Sequence, residues 1–296
     1  MRRTLLLSAA AITLLAAGSI ALAEAGLRVR HRGAPPATAA ESAVAGTGAR
    51  WQSEQVRAAD GVLLDAWLFT PAQPNGGAVL VLHGNAARRD SMMPHARYLL
   101  AAGYTVLTPD SRAHGSSGGN IETYGLRETD DAHRWINLLA SLHGNSRLYG
   151  LGESLGSAIL IEALPGEKRL RAVVADCPFA TLEEAAYDRL SRRLYLPRTL
   201  AWAPLQLGLS YGRAVYGVDL LQASPVTAIR QSTAPVLLIH GTRDLSTLPY
   251  HSRQLHAANP GATELWEVPG AGHTQSRAMQ PEEYRRRVLA WFGGHL

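Results

Sequence analysis

The chain has 296 residues, 46% apolar and 18% charged, which is enough apolar side chain for a sizeable core and excludes an intrinsically disordered protein. Its net charge of +5 is unevenly placed: residues 1–50 hold six arginines and two glutamates, so the remainder carries only +1 and has no charge excess for a nucleic-acid partner. The single cysteine, Cys177, excludes an internal disulfide and any cysteine-built metal site.

Residues 1–25 have the form of a leader. Arg2 and Arg3 precede an uncharged apolar run from Leu5 to Ala23, and Ala21-Leu22-Ala23 is a small-residue cleavage pattern. Two readings stand: a cleaved signal peptide, favoured by the many alanines, or a retained membrane anchor, favoured by Arg28, Arg30 and Arg32 downstream. Both place the body outside the cytosol or at its membrane. Residues 26–50, rich in Ala, Gly, Pro and Thr, are expected to be a flexible linker.

From Trp51 the pattern becomes regular. Val56 to Phe69 reads as a β-hairpin hinged near Asp60-Gly61. Ala78 to Leu82 is a continuous apolar run, as expected of a strand buried on both faces. Helical spacing follows over 90–102, a strand over 105–108, then a Gly/Ser loop over 110–119 and a helix over 128–141. The alternation continues with a strand at 148–151, a helix at 154–164 and a strand at 170–175. It resumes with strands at 235–239 and 265–268 and helices at 249–258 and 281–292. Such alternation specifies an α/β fold with a mostly parallel sheet covered on both faces, and ligands at the carboxyl ends of its strands. Residues 177–234 interrupt it. They contain no clear strand, a Thr181/Glu184 capping box and an apolar stretch from Leu194 to Leu209, and are expected to form a small helical cap.

The chemistry-bearing residues sit at strand ends. Gly152-Glu-Ser-Leu-Gly156 has the form G-x-S-x-G between a strand and a helix, where glycines relieve crowding around a strained turn that exposes Ser154. A serine nucleophile needs a base, and the base an orienting carboxylate. Asp244 follows the strand at 235–239, and His273 follows the strand at 265–268. Of the other histidines, His133 and His143 belong to a helix or its end, His251 and His256 sit on a helix, and His31 and His295 are terminal. Two backbone donors are needed for an oxyanion: the N–H of Leu155 and, from the loop His83-Gly84-Asn85, the N–H of Asn85.

Together, His83-Gly-Asn, Asp110-Ser-Arg-Ala-His-Gly-Ser-Ser-Gly, Gly152-Glu-Ser-Leu-Gly, Leu237-Leu-Ile-His-Gly-Thr-Arg-Asp244 and Val268-Pro-Gly-Ala-Gly-His273 resemble the α/β-hydrolase superfamily over residues 51–296. The likeness is to the serine-aminopeptidase-like and prolyl-oligopeptidase-like members with a small helical cap. Relatives often carry Val-Pro soon after the acidic residue, where this chain has Leu245-Ser-Thr-Leu-Pro249. The resemblance implies an α/β-hydrolase fold with an N-terminal hairpin, a Ser154-His273-Asp244 triad, and hydrolysis of a small-molecule carboxylic ester or related acyl compound without metal or organic cofactor. Peptidase and thioesterase activities belong to the same family. Glu153, Arg112 and His114 are secondary candidates for substrate binding. A rival of another class is a dinucleotide-binding oxidoreductase, built on Gly150, Gly152 and Gly156 with Asp176 at the next strand's end. A binding protein without turnover is a third reading.

Overall fold

The computed structural model describes the backbone of residues 2–29, 32–143, 147–195 and 197–295, and their side chains apart from 2–12, 143 and 194. Helices α1 (Arg2–Leu27) and α2 (Ala37–Val44) precede an antiparallel pair, β1 (Arg50–Arg57) and β2 (Leu63–Thr70). Then come β3 (Gly77–Leu82), α3 (Met93–Ala101), β4 (Thr105–Pro109), α4 (Glu128–His143), β5 (Arg147–Glu153), α5 (Leu155–Ala163) and β6 (Leu170–Asp176). The insertion holds α6 (Leu182–Leu194), α7 (Arg198–Tyr216) and α8 (Pro225–Arg230). The chain closes with β7 (Val236–Gly241), α9 (Tyr250–Ala258), β8 (Thr263–Val268), α10 (Ser276–Met279) and α11 (Pro281–Gly294).

All eight strands form one sheet in the order β1-β2-β4-β3-β5-β6-β7-β8, parallel from β4 to β8 and antiparallel at β1, β2 and β4. Strand β3 shows why the expected apolar run is continuous. Alternate side chains leave a strand on opposite faces, so Leu80 and Leu82 join one core with Trp135 of α4 and Ile159 of α5. Val79 and Val81 join a second core with Leu99 of α3 and Phe292 of α11. Each such side chain contributes about 1.5–3 kcal/mol relative to exposure. Two buried faces demand apolar residues at every position.

The capping box forms as expected: Thr181 Oγ1 accepts from Glu184 N at 3.2 Å at the start of α6. Helix α7 carries the apolar stretch, with Ala201, Gly208 and Leu209 buried but Leu200, Trp202 and Leu207 exposed. Helix α8 packs back on α5 and α9, so the cap is α6 and α7 rather than all of residues 177–234.

The N-terminal region departs from expectation. Residues 37–44 of the expected linker are helical, with Ala40 and Ala43 buried against α3. Alanine has high helix propensity, and its small side chain lets α2 approach closely; a pattern search keyed to large apolar residues passes over it. The leader is also ordered: α1 lies along α7, with Ser19 and Leu27 buried. Among the described residues no helix is long and apolar enough to cross a membrane.

Candidate active site

Strand β5 delivers Ser154 to the start of α5 through a tight elbow. Its φ of 52° and ψ of −113° are strained for a residue with a side chain, a conformation costing on the order of 1–3 kcal/mol. The flanking glycines are required by contact. A Cβ on Gly152 would lie 2.4 Å from the Gly156 carbonyl carbon, and one on Gly156 would lie 2.3 Å from the Leu82 carbonyl oxygen. Behind the elbow, Ser154 N donates to Asp176 O at 2.7 Å, and Ser157 Oγ donates to the Gly152 carbonyl at 2.6 Å. These bonds hold the turn in its strained form.

The structure brings together the three residues that the sequence scatters. His273 Nε2 lies 2.8 Å from Ser154 Oγ, and His273 Nδ1 lies 2.6 Å from Asp244 Oδ2. The second Asp244 oxygen accepts from Ser246 N at 2.8 Å and Thr247 N at 3.0 Å. Burial alone would raise the Asp244 pKa, but hydrogen bonds from His240, His273 and the Thr247 backbone hold it well below the ordinary carboxylate range. Asp244 is therefore ionised, and its bond to Nδ1–H leaves Nε2 as the acceptor facing the serine hydroxyl. The departure at Leu245-Ser-Thr-Leu-Pro249 is accommodated, since two N–H groups of this segment wrap the carboxylate.

Asn85 and Leu155 both border the cavity beside Ser154. The Asn85 side chain is engaged elsewhere, donating to Glu122 Oε1 at 2.9 Å, and the Leu155 N–H belongs to the first turn of α5, where helix backbone donors have no internal partner. The next residue, Ala86, has φ 57° and donates its N–H to His114 Nε2 at 3.1 Å.

That bond corrects one expectation. His114 and Arg112 do not line the cavity; both are buried and shape loops. His114 Nδ1 donates to the Arg112 carbonyl, which leaves Nε2 to accept from Ala86. Arg112 makes two 2.7 Å bonds to Asp131 and one of 2.9 Å to Asp60 in the β1–β2 turn. Glu153 also faces away from the cavity, with Oε1 2.7 Å from His95 Nε2. A carboxylate beside a nucleophile suggests substrate contact, but alternation along β5 sends its side chain elsewhere.

The dinucleotide reading fails on the same geometry. Gly152 and Gly156 pack against backbone rather than framing a phosphate site. Asp176 is fully buried, near Cys177 and Ser276, where no ribose can reach it. Cys177, Asp244 and His273 place ligand atoms within 4.8 Å of one another. Burial raises the Cys177 thiol well above its ordinary pKa, and the imidazole and carboxylate are bonded to each other.

A cavity of about 290 Å³ opens beside Ser154, close to the lower end of the usual ~300–1,000 Å³ range for ligand sites. Its walls are mostly apolar, with Leu182, Leu205 and Leu209 from the cap and Phe179 below, while Arg189 and Arg193 are its charged residues.

The model of the alpha/beta hydrolase family matches residues 79–287, which hold most of β3, strands β4 to β8, the elbow and all three polar residues. The chain belongs to the alpha/beta hydrolase family. This hydrolase is 28% identical over 214 residues to the uncharacterised YqkD protein of Bacillus subtilis, covering 71% of this chain and 69% of that one. It is 24% identical over 268 residues to a monoacylglycerol lipase of Mycolicibacterium smegmatis, covering 79% and 94% respectively. Among solved structures, the Pyrococcus furiosus esterase Pf2001 superposes with a TM-score of 0.71 at 24% identity, over 90% of this hydrolase and 98% of that chain. A likeness at that identity speaks for the fold, which peptidases also share.

Proposed function

We propose that this hydrolase cleaves carboxylic esters of apolar acyl groups through an acyl-enzyme on Ser154. The observation that carries the reading is the chain of hydrogen bonds from Ser154 through His273 to Asp244, with Ser154 lining an apolar cavity. Ser154 Oγ attacks the ester carbonyl while His273 Nε2 takes its proton. The resulting oxyanion accepts from the N–H groups of Asn85 and Leu155, at the positive end of α5. His273 then returns the proton to the departing alkoxide, leaving the acyl group on Ser154. Water, deprotonated by the same nitrogen, attacks that ester, and the acid departs as Ser154 recovers its proton. Asp244 keeps the proton on Nδ1 and stabilises the imidazolium formed in each half.

The cavity favours esters over peptides with a free amino terminus. An ammonium group would call for a carboxylate nearby, whereas the charged groups here are the guanidiniums of Arg189 and Arg193. The likeness to a monoacylglycerol lipase and to an esterase supports the same side. The arginine-flanked leader supports a site of action outside the cytosol or at its membrane. The test is a panel of p-nitrophenyl acyl esters, acyl thioesters and aminoacyl anilides. Ester kcat/KM exceeding that of the anilides by about a hundredfold supports the reading; anilides cleaved as well as esters overturn it.

A further inference from the structure

Helix α1 is built into the cavity wall. Ser19, Leu22, Ala23 and Gly26 border the space beside Ser154, facing Leu205 and Gly208 of α7. The two helices meet through small residues: a Cβ on Gly208 would lie 3.4 Å from Ala23 Cβ and 3.4 Å from the Ser19 carbonyl oxygen. One turn further on, a Cβ on Gly212 would lie 3.7 Å from Leu27 Cδ1. Ala23, one of the alanines that lower the leader's hydrophobicity, thus sits where the helices approach most closely.

Polar bonds hold the end of α1 in place. Glu24 accepts from the hydroxyls of Tyr211 and Tyr216 on α7 and from Arg28. The Gly26 carbonyl accepts from Tyr124 Oη at 2.7 Å, and the Leu27 carbonyl accepts from Glu122 N at 2.8 Å. Glu122 in turn binds the Asn85 side chain, so the helix end is two hydrogen bonds from the loop beside Ser154. Leu27 is 1% exposed, within the same core as Leu80 and Ile159. Upstream of Glu24 the contacts are those of Ser19 and Ala23 with Gly208 and of Leu22 with the cavity. Cutting after Ala23 would strip Ser19, Leu22 and Ala23 from the cavity and open it to solvent along that side.

We infer that α1 is retained in the working protein and that Ser19, Leu22, Ala23 and Gly26 form, with α7, the binding wall for the acyl chain of the substrate. This rests on the acyl-ester reading above for the identity of the occupant. The wall is apolar and lies between two helices, so it takes an extended alkyl chain rather than a polar acyl group. Chain-length preference is then set largely by residues of the leader.

The test compares the full chain, Ala23→Trp, a chain beginning at Glu24, and Leu14→Ser on the exposed side of α1, where Leu14 is 73% exposed. Two quantities are read: the ratio of kcat/KM for the p-nitrophenyl decanoate and acetate esters, and the affinity for a fluorescent fatty acid, which needs no turnover. In Ala23→Trp and in the shortened chain both should fall about tenfold or more, while Leu14→Ser leaves them unchanged. Ala23→Trp matching the full chain in both quantities overturns the inference, whether or not the shortened chain folds. Fluorophosphonate labelling of Ser154 separates the two claims. Label present with neither quantity altered sinks the wall alone. No label and no ester turnover sinks the hydrolase reading, and fatty-acid affinity still decides the wall.

Discussion

His240 reaches the same Asp244 oxygen that His273 uses: its Nε2 lies 3.3 Å from Oδ2 and donates to the Thr247 carbonyl at 2.9 Å. Its other nitrogen is 2.6 Å from Ser252 Oγ, which fixes the ring between β7 and α9. His240 thus braces the Asp244 loop from the buried side, while His273 contacts it from the open side. On the proposed mechanism, His240→Ala should lower kcat roughly tenfold to a hundredfold with a smaller change in KM, because the Asp244 carboxylate loosens while the cavity beside Ser154 is untouched. Unchanged kcat would show that the loop holds itself.

Replacing the carboxylate is more severe. Asp244→Asn removes the charge that stabilises the imidazolium, and an amide nitrogen facing Nδ1 favours the wrong tautomer. Turnover of an acetate ester should drop about ten-thousandfold at neutral pH while thermal unfolding still shows a single cooperative transition.

The elbow makes a steric prediction. Gly156→Ala sets a methyl group 2.3 Å from a backbone carbonyl that has no room to move, since Leu82 lies in the central strand β3. Chemical denaturation should show a loss of about 3 kcal/mol, or no folded protein. A stability equal to the parent would contradict the packing described for α5 on β3.

Asp176 gives a pH dependence. Burial, and secondarily the nearby Glu153 charge, raise its pKa from 3.8 to about 6. The folded state therefore holds this proton more tightly than the unfolded one. Stability is greatest below the unfolded value and falls as pH rises from about 4 to about 6, by at most about 3 kcal/mol. Asp176→Asn, neutral throughout, should be more stable than the parent at pH 8, and the difference should vanish near pH 4. Denaturant midpoints at the two pH values decide it; a difference independent of pH would mean that folding does not raise the Asp176 pKa.

Ser154, Asp244 and His273 were legible because each marks a strand end, and residues at those ends converge whatever the exact helix packing. Strand alternation could also be read directly, since burial on both faces leaves an unmistakable run such as Ala78–Leu82. His240 was hidden: nothing along the chain distinguishes a histidine inside a strand from one in a helix, and its role depends on the return of the Thr247 loop. Arg112 and His114 stood beside the site in sequence, yet their partners Asp131 and Ala86 lie on other elements and turn them into braces. The ends of α1 and α2 were missed for a shared reason. Alanine, glycine and serine look like linker or leader when counted by hydrophobicity, but close helix contact selects those same residues.

The most direct test of the central claim is reaction of the purified full chain with a fluorophosphonate, followed by mass-spectrometric mapping, with ester hydrolysis by Ser154→Ala measured in parallel. The account predicts one adduct, on Ser154, and turnover reduced by several orders of magnitude in a variant that still folds. An adduct on another residue, or Ser154→Ala activity within about tenfold of the parent, would contradict it.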